Sequence, residues 1–299
     1  MARTRFAPDR GLSARMGLTM GLLAVLYVVL IGAIALAGFG WVLGVVIGLG
    51  ALWLQWFFSD KLALSAMGAH EVSPADEPEL HAMIDRLCAL ADMPKPRVAV
   101  ADADLPNAFA AGRSPDRAVV CVTRGIQRRL DDRELEAVLS HELSHVAHRD
   151  VLVMTVASVV GVLAGIMTRM LLWTGLMRGG RNNNAAVMVL VVMIVAAVVY
   201  AVSFLLTRLL SRYRELAADR AGAILTGQPS TLASALTKIS GEMAKIPRKD
   251  LRQAEAYNAF FFVPAMTGKV DIASLFASHP PLQKRLDQLN RISVELGQE

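Results

Sequence analysis

The chain has 299 residues, of which 54% are hydrophobic and 19% charged, and its formal net charge at pH 7 is +5. A mean hydropathy of +0.44 excludes an ordinary soluble enzyme and indicates membrane spans. The charge does not indicate a nucleic-acid-binding protein, because the basic residues cluster beside apolar segments and do not alternate with aromatic residues.

The first 58 residues predict a basic tail followed by a transmembrane hairpin. The chain is apolar and uncharged from Met16 to about Ala37, and apolar again after residues 38–40 as far as Phe58. Each run approaches the ~20 residues that cross a bilayer as a helix. A signal peptide cleaved near residues 35–37 is the alternative. It is disfavoured because the first run exceeds a usual signal core and a second apolar run follows at once.

Residues 59–150 predict the first half of a catalytic domain. Glu77–Ala91 has the pattern of an amphipathic helix. Three short segments, Arg97–Ala101, Asn107–Gly112 and Ala118–Thr123, read as strands separated by turn residues. They predict one small antiparallel sheet beside the helix that follows. The only two cysteines, Cys88 and Cys121, exclude a disulfide framework and fit a reducing compartment.

The next helix carries an H-E-x-x-H motif formed by His141, Glu142 and His145. A four-residue step on an α-helix turns only about 40° and rises about 6 Å, so both imidazoles project from one face. Asp131 or Asp132 can cap this helix. The pattern predicts two histidine ligands for one Zn²⁺, with Glu142 as the general base. A coincidental surface motif is the alternative.

Residues 151–206 predict a second hydrophobic hairpin inserted into the catalytic domain. Val151–Trp173 is apolar apart from Arg169, Ala185–Leu206 is apolar throughout, and a polar loop at residues 179–184 joins them. A hairpin returns the chain to its starting side, where arginines flank it, and the positive-inside rule then places both catalytic halves in the cytoplasm. The flanking arginines are Arg149, Arg208, Arg212 and Arg214. Because Arg178 and Arg181 lie at the tip, a re-entrant hairpin stays open as an alternative.

Residues 207–299 predict the second, helical half of the catalytic domain. The last hairpin helix continues through Ala223, a helix lies near Thr231–Ser240, and a final one runs from Pro281 to about Leu296. The run Tyr257–Val263 contains three successive phenylalanines, which favour a core or membrane-surface contact over a substrate pocket.

A catalytic zinc needs a third protein ligand and an open position. His148 lies seven residues after His141, a full turn past the metal, and the third histidine of the metzincin pattern is absent. Glu215 and Asp219 lie four residues apart and therefore share a helix face. We expect Glu215 to bind zinc and Asp219 to hold a ligand imidazole. A solvated charge run beside the membrane is the alternative.

Four features in this order resemble the HtpX-type membrane zinc metalloproteases, a group related to the CAAX prenyl endopeptidases. They are HELSH followed closely by Asp150, an apolar hairpin, the SRYRELAAD segment, and SHPPLQKR at Ser278–Arg285. The resemblance implies a zincin-like (gluzincin) catalytic domain with about four transmembrane helices. It also implies one Zn²⁺ on His141, His145 and Glu215, with Glu142 as base.

The resemblance further implies that Asn107, Ala108, Phe109 and Ala110 form an edge strand that pairs with the substrate backbone. It implies that His279 and Arg285 contact the substrate carbonyl or the transition state. His279 precedes Pro280-Pro281, which restrict the backbone, so it is a reasonable oxyanion donor, with a helix-cap role as the alternative. His148 departs from the family pattern, and a second metal contact is one role open to it.

The expected protein is a multi-pass endopeptidase of the inner (plasma) membrane, where the lipid bilayer surrounds its apolar helices. Its expected substrates are misfolded or damaged membrane proteins, cut on the cytoplasmic side by a zinc-activated water. Protein quality control and a stress response follow from the resemblance alone. Three alternatives are weaker: intramembrane cleavage by a site-2-type protease, a CAAX prenyl endopeptidase, and a scaffold with a structural zinc.

Overall fold

The computed structural model describes residues 10–36, 41–177, 183–245 and 279–298. Most of the predicted polar loop at 179–184, with Arg178 and Arg181, lies outside these residues, as do Tyr257–Val263 and Ser278. Over these residues the chain is mainly helical with one four-stranded sheet. The first helices are α1 (Arg10–Leu36), α2 (Trp41–Phe57), α3 (Ser59–Met67), α4 (Pro78–Ala91) and α5 (Arg124–Arg129). The others are α6 (Asp132–Ala147), α7 (Asp150–Met177), α8 (Asn183–Thr226), α9 (Pro229–Lys245) and α10 (Leu282–Glu295).

The sheet is mixed, so the predicted antiparallel sheet is wrong. Its strands β1 (Ala69–Glu71), β2 (Arg97–Ala101), β3 (Ala108–Ala111) and β4 (Val119–Thr123) lie in the order β1-β2-β4-β3. The outer pairs are antiparallel, but β2 and β4 are parallel. All five residues of β4 are buried, which places this strand in the centre. The chain therefore runs from β2 to the edge strand β3 before returning between them.

Two apolar clusters cover the two faces of the sheet. The larger one joins the sheet to α4, α6, α9 and α10, and its fully buried members include Ile84, Leu139 and Leu236. The smaller one lies between the sheet and α3, around Ala63 and Phe109. Because α6 lies in the larger cluster, the H-E-x-x-H motif belongs to the packed core beside the sheet.

A third apolar cluster joins α1, α7 and α8, around Leu30, Leu163 and Val199. Among the described residues, Ser13–Leu30 and Leu190–Thr226 belong to helices long and apolar enough to cross a membrane. A third span results if α6 and the first part of α7 are taken together. Exposed leucines and valines on α1 and α8 fit an apolar solvent around these helices.

The helix α8 passes very close to α6 at a glycine. An added Cβ at Gly222 would lie 3.0 Å from the backbone nitrogen and 3.2 Å from the Cα of His141. The Ser140 hydroxyl also donates a hydrogen bond to the Gly222 carbonyl, at 3.2 Å. This approach brings the polar part of α8 against the H-E-x-x-H motif.

Candidate metal centre

The helix that carries the motif begins with a capping box. The Asp131 carboxylate accepts a hydrogen bond from the Glu134 amide at 2.9 Å, and the Glu134 carboxylate accepts one from the Asp131 amide at 3.1 Å. Glu134 is also held by Ser234 and Lys238 of α9, each at 2.7 Å. The predicted capping of this helix is therefore confirmed, with Asp131 as the N-cap. Fixing its first turn fixes the direction in which its later side chains point.

The structure brings His141, His145 and Glu215 together. Nε2 of His141 and Nε2 of His145 are 3.1 Å apart. The Glu215 carboxylate lies 3.8 Å from the first nitrogen and 3.6 Å from the second. Among the described residues, these three form a group whose possible ligand atoms all lie within 4.8 Å of one another, and His148 is not part of it.

The other ring nitrogen of each histidine faces a carboxylate. Nδ1 of His141 lies 2.9 Å from Asp219 Oδ1, and Nδ1 of His145 lies 2.6 Å from Asp150 Oδ2. A carboxylate accepts hydrogen bonds, so each Nδ1 carries the proton and each Nε2 presents its lone pair to the centre. Asp219 is therefore placed as the sequence predicts, whereas the contact of Asp150 with His145 was not foreseen.

The donor set fits a divalent metal ion. Two imidazole lone pairs and a carboxylate oxygen converge on one point, and such acceptor-only groups repel one another unless a cation lies between them. Burial lowers the pKa of His141 and of His145 to about 4, so both rings are neutral at physiological pH, as metal ligation requires. Two histidines and one glutamate leave a tetrahedral ion one open position.

Glu142 lies beside this group. Burial, and then the charge of Glu215, raise the pKa of its carboxyl well above the usual range, and a hydrogen bond with the Ala110 backbone opposes that rise. A cation held by the three ligands would favour its ionised form. Glu142, His141, His145 and Glu215 line one cavity of about 740 Å³. A side chain able to exchange a proton thus faces the same space as the proposed ligands.

The edge strand β3 borders the same cavity. Its residues Ala108 to Ala111 are among those that line it, whereas Asn107 is buried. The Thr123 amide donates a hydrogen bond to the Asn107 carbonyl at 2.9 Å, and the Asn107 amide donates one to the Thr123 hydroxyl at 3.0 Å. Antiparallel pairs alternate, so Phe109 and Ala111 bond to β4 while Ala108 and Ala110 direct their backbone groups away from it.

The structure places His279, but not Arg285, at the wall of the cavity. His279 lines the cavity, and its Nδ1 lies 3.1 Å from Glu215 Oε2. Arg285 is 2% exposed and donates two hydrogen bonds of 2.7 Å to the Asp219 carboxylate. It does not appear among the described residues that line the cavity. Its contact with Asp219 orients the carboxylate that holds His141.

Sequence reasoning missed a second arginine. Arg214 of α8 was assigned only to the charge at the membrane boundary, but it is buried and forms an ion pair with Asp150. Its guanidinium also donates to the His148 carbonyl at 3.3 Å. The His148 ring bonds back to the Ser144 carbonyl at 2.7 Å, and His148 itself is exposed. The only available signal for Arg214 was its position directly before Glu215.

The sequence of the chain is similar to that of known proteases. The sequence of residues 74–293 matches the family model that describes peptidase family M48. The chain is 55% identical to protease HtpX homolog 1 of Streptomyces coelicolor, with 99% of this chain and 97% of that protein covered. It is 50% identical to the protease HtpX homolog of Moorella thermoacetica, with 98% of each chain covered.

A solved structure shares the fold. The crystal structure of S. mikatae Ste24p has a TM-score of 0.59 to this chain at 16% identity. The likeness covers 92% of this chain but 62% of Ste24p, which is less than two thirds of that protein. The family match and the relatives extend over most of the chain. The chain therefore belongs to peptidase family M48 and is a metalloprotease.

Proposed function

We propose that the chain is a zinc endopeptidase that hydrolyses misfolded or damaged membrane proteins on the cytoplasmic side, with Glu142 as general base. One observation carries the proposal: three acceptor atoms, from two histidines and a glutamate, face one another in the cavity that Glu142 and the edge strand also line. The relatives named as protease HtpX homologs support it. Packing of α6 among the sheet, α4 and α9 disfavours the alternative of cleavage inside the bilayer.

The residues divide the chemistry among them. His141, His145 and Glu215 would hold Zn²⁺, which supplies a Lewis acid and lowers the pKa of a water in the open position. Glu142 accepts the proton of the attacking water and returns it to the leaving amine. His279, at the cavity wall beside Glu215, donates to the carbonyl oxygen as negative charge develops there. Arg285 acts through Asp219 as a positioning residue.

The substrate would bind as an added strand. Ala108 and Ala110 direct backbone donors and acceptors away from β4, at the border of the cavity that holds Glu142. An extended peptide that pairs with Ala108 and with the carbonyl of Ala110, whose amide bonds to Glu142, would bring a backbone carbonyl to the metal centre. The hydrogen bond between the Ala110 backbone and Glu142 supports this placement, since it ties the strand to the general base.

Ala108→Pro tests the edge strand. Proline removes an amide donor that faces the open edge and leaves the pairing with β4 in place. One lost hydrogen bond of about 1 kcal/mol should lower kcat/KM for a peptide substrate roughly 3–10-fold. Ala111→Pro is the matched comparison, because it removes an amide of the β3–β4 pairing and should lower the unfolding temperature. An unchanged kcat/KM in a folded Ala108→Pro variant would contradict strand addition.

The topology we propose has four membrane spans, with the catalytic halves in the cytoplasm. The support is the apolar composition of α1, α2, α7 and α8 and the arginines at the inner ends of the second hairpin. α2 has 17 residues, at the short end of what crosses a bilayer.

Membrane vesicles test activity, metal and sidedness together. Inside-out vesicles that contain the protein should cut casein added to the medium, and sealed right-side-out vesicles should not. A chelator should abolish the cleavage and Zn²⁺ should restore it, because the proposed mechanism needs the ion that His141, His145 and Glu215 would hold. Cleavage that survives the chelator would overturn the zinc proposal. Cleavage only by right-side-out vesicles would reverse the topology.

A further inference from the structure

We infer that Asp150 and Arg214 are positioning residues for His145, and that through them the hydrophobic hairpin α7–α8 sets the orientation of a metal ligand. The inference rests on the proposed metal site and adds two residues to it. His145 Nδ1 lies 2.6 Å from Asp150 Oδ2, and the other oxygen of Asp150 pairs with Arg214.

A break in the helix makes the first contact possible. Asp150 follows His145 by five residues, and in a continuous α-helix five residues turn about 140°, to nearly the opposite face. Arg149 adopts a left-handed conformation with φ of +56°, which ends α6 and redirects the chain. Asp150 thereby becomes the first residue of α7 and its carboxylate reaches back to the imidazole.

Arg214 holds that carboxylate from the other side. It lies in α8 directly before the proposed ligand Glu215, and its side chain is 8% exposed. It pairs with Asp150 and also donates to the carbonyl of His148, just beyond the end of α6, at 3.3 Å. One guanidinium therefore ties together the end of α6, the start of α7 and the helix that carries the third ligand.

The arrangement repeats the one around His141. There Asp219 faces Nδ1 at 2.9 Å and Arg285 binds Asp219 with two hydrogen bonds. Each ligand histidine thus has a carboxylate behind it and each carboxylate has a buried arginine. Such outer contacts orient the ring, raise its basicity, and change metal affinity 10–100-fold when removed. The contacts of His145 differ in that α7 and α8, the helices of the hairpin, supply both residues.

The test measures the bound metal directly and does not depend on activity. The full-length protein in detergent is loaded with Co²⁺, and its visible absorption and the rate of Co²⁺ loss to a chelator are recorded. We expect Asp150→Asn and Arg214→Gln to lose Co²⁺ about 10–100-fold faster and to change the absorption, because His145 is no longer held in one orientation. Arg214→Lys keeps the charge but lacks the planar fork, so its rate should lie between wild type and Arg214→Gln.

Arg220→Gln is the matched control. Arg220 lies on the same helix and pairs with Glu295 at the surface, so its replacement should alter neither the spectrum nor the rate. Asp150→Asn conserves shape and serves as the second variant if Arg214→Gln does not fold. Folded variants with the wild-type spectrum and rate, whatever their unfolding temperature, would overturn the inference alone. Failure of the wild type to bind Co²⁺ would instead overturn the proposed metal site.

Discussion

Glu142→Gln is expected to abolish peptide hydrolysis and leave the metal bound. The amide has the shape of the carboxyl and keeps an oxygen that can accept the Ala110 hydrogen bond, but it cannot take a proton from water. General-base catalysis contributes about 10²–10⁴-fold to the rate, so kcat should fall at least about 10²-fold. Since Glu142 is not one of the three proposed ligands, zinc content should stay near that of the wild type.

The stability of the metal-free protein provides a second readout for this variant. Burial and Glu215 raise the pKa of Glu142. A raised carboxyl pKa adds stability below its unfolded value, and this stability is lost as pH rises through the folded pKa. Glutamine does not ionise, so the metal-free variant should unfold at no lower temperature than wild type near neutral pH.

Glu136→Gln is the control for Glu142→Gln. It makes the same chemical change on the same helix, where Glu136 pairs with Arg86 and does not line the cavity. The measurements are zinc content and casein cleavage of the detergent-purified wild type, Glu142→Gln and Glu136→Gln, made side by side. Turnover by Glu142→Gln at more than about a tenth of the wild-type rate would contradict the general-base role.

Glu215→Ala is expected to lower zinc occupancy, and activity with it. Its carboxylate is the one acidic member of the cluster, and two neutral imidazoles alone make a weak site for a divalent cation. Glu215 also lies 3.1 Å from His279 and 3.7 Å from Arg285, so its loss leaves both without this neighbouring charge. Zinc bound per chain after dialysis against a weak chelator is the measurement.

Two control variants distinguish loss of a metal ligand from loss of folding in this experiment. Glu215→Gln keeps the side-chain volume and one neutral oxygen, so it should fold and hold zinc less tightly than wild type. Glu295→Ala removes a mostly exposed glutamate of α10 that pairs with Arg220 of α8, the helix that carries Glu215. The zinc content of this variant should not change. Full zinc occupancy in Glu215→Ala would refute the ligand assignment, and reduced cleavage with full zinc would give Glu215 another role.

Local sequence was enough to predict several elements of the sheet and of the helices beside it. Three strands and the helix at Pro78–Ala91 lie within a residue or two of their predicted bounds, because turn residues and apolar periodicity act over short distances. The short elements α3, β1 and α5 were missed, since segments of three to nine residues carry little pattern. The spacing of His141 and His145 and the capping residue Asp131 likewise operate within one helix.

The order of the strands could not be predicted from local sequence. The residues of β2 and β4 are apolar, but apolar character does not indicate which strand each one pairs with. Strands that follow one another in the chain are not always neighbours in the sheet. The same limit applies to Arg285. Its charge and its position near His279 were visible in the sequence, but its contact with Asp219 exists only after α10 packs beside α8.

The class of site follows from residue order alone: two histidines lie one turn apart, an acid lies between them, and a single glutamate–aspartate pair at helical spacing follows downstream. Asp219 was expected from its spacing to Glu215, but the other groups that orient the site follow only from the packing of the helices. Asp150 reaches His145 because a left-handed residue ends α6, and Arg214 reaches Asp150 because α8 crosses α6 closely at Gly222. Contacts of this kind depend on how helices far apart in the chain pack, which residue spacing does not encode.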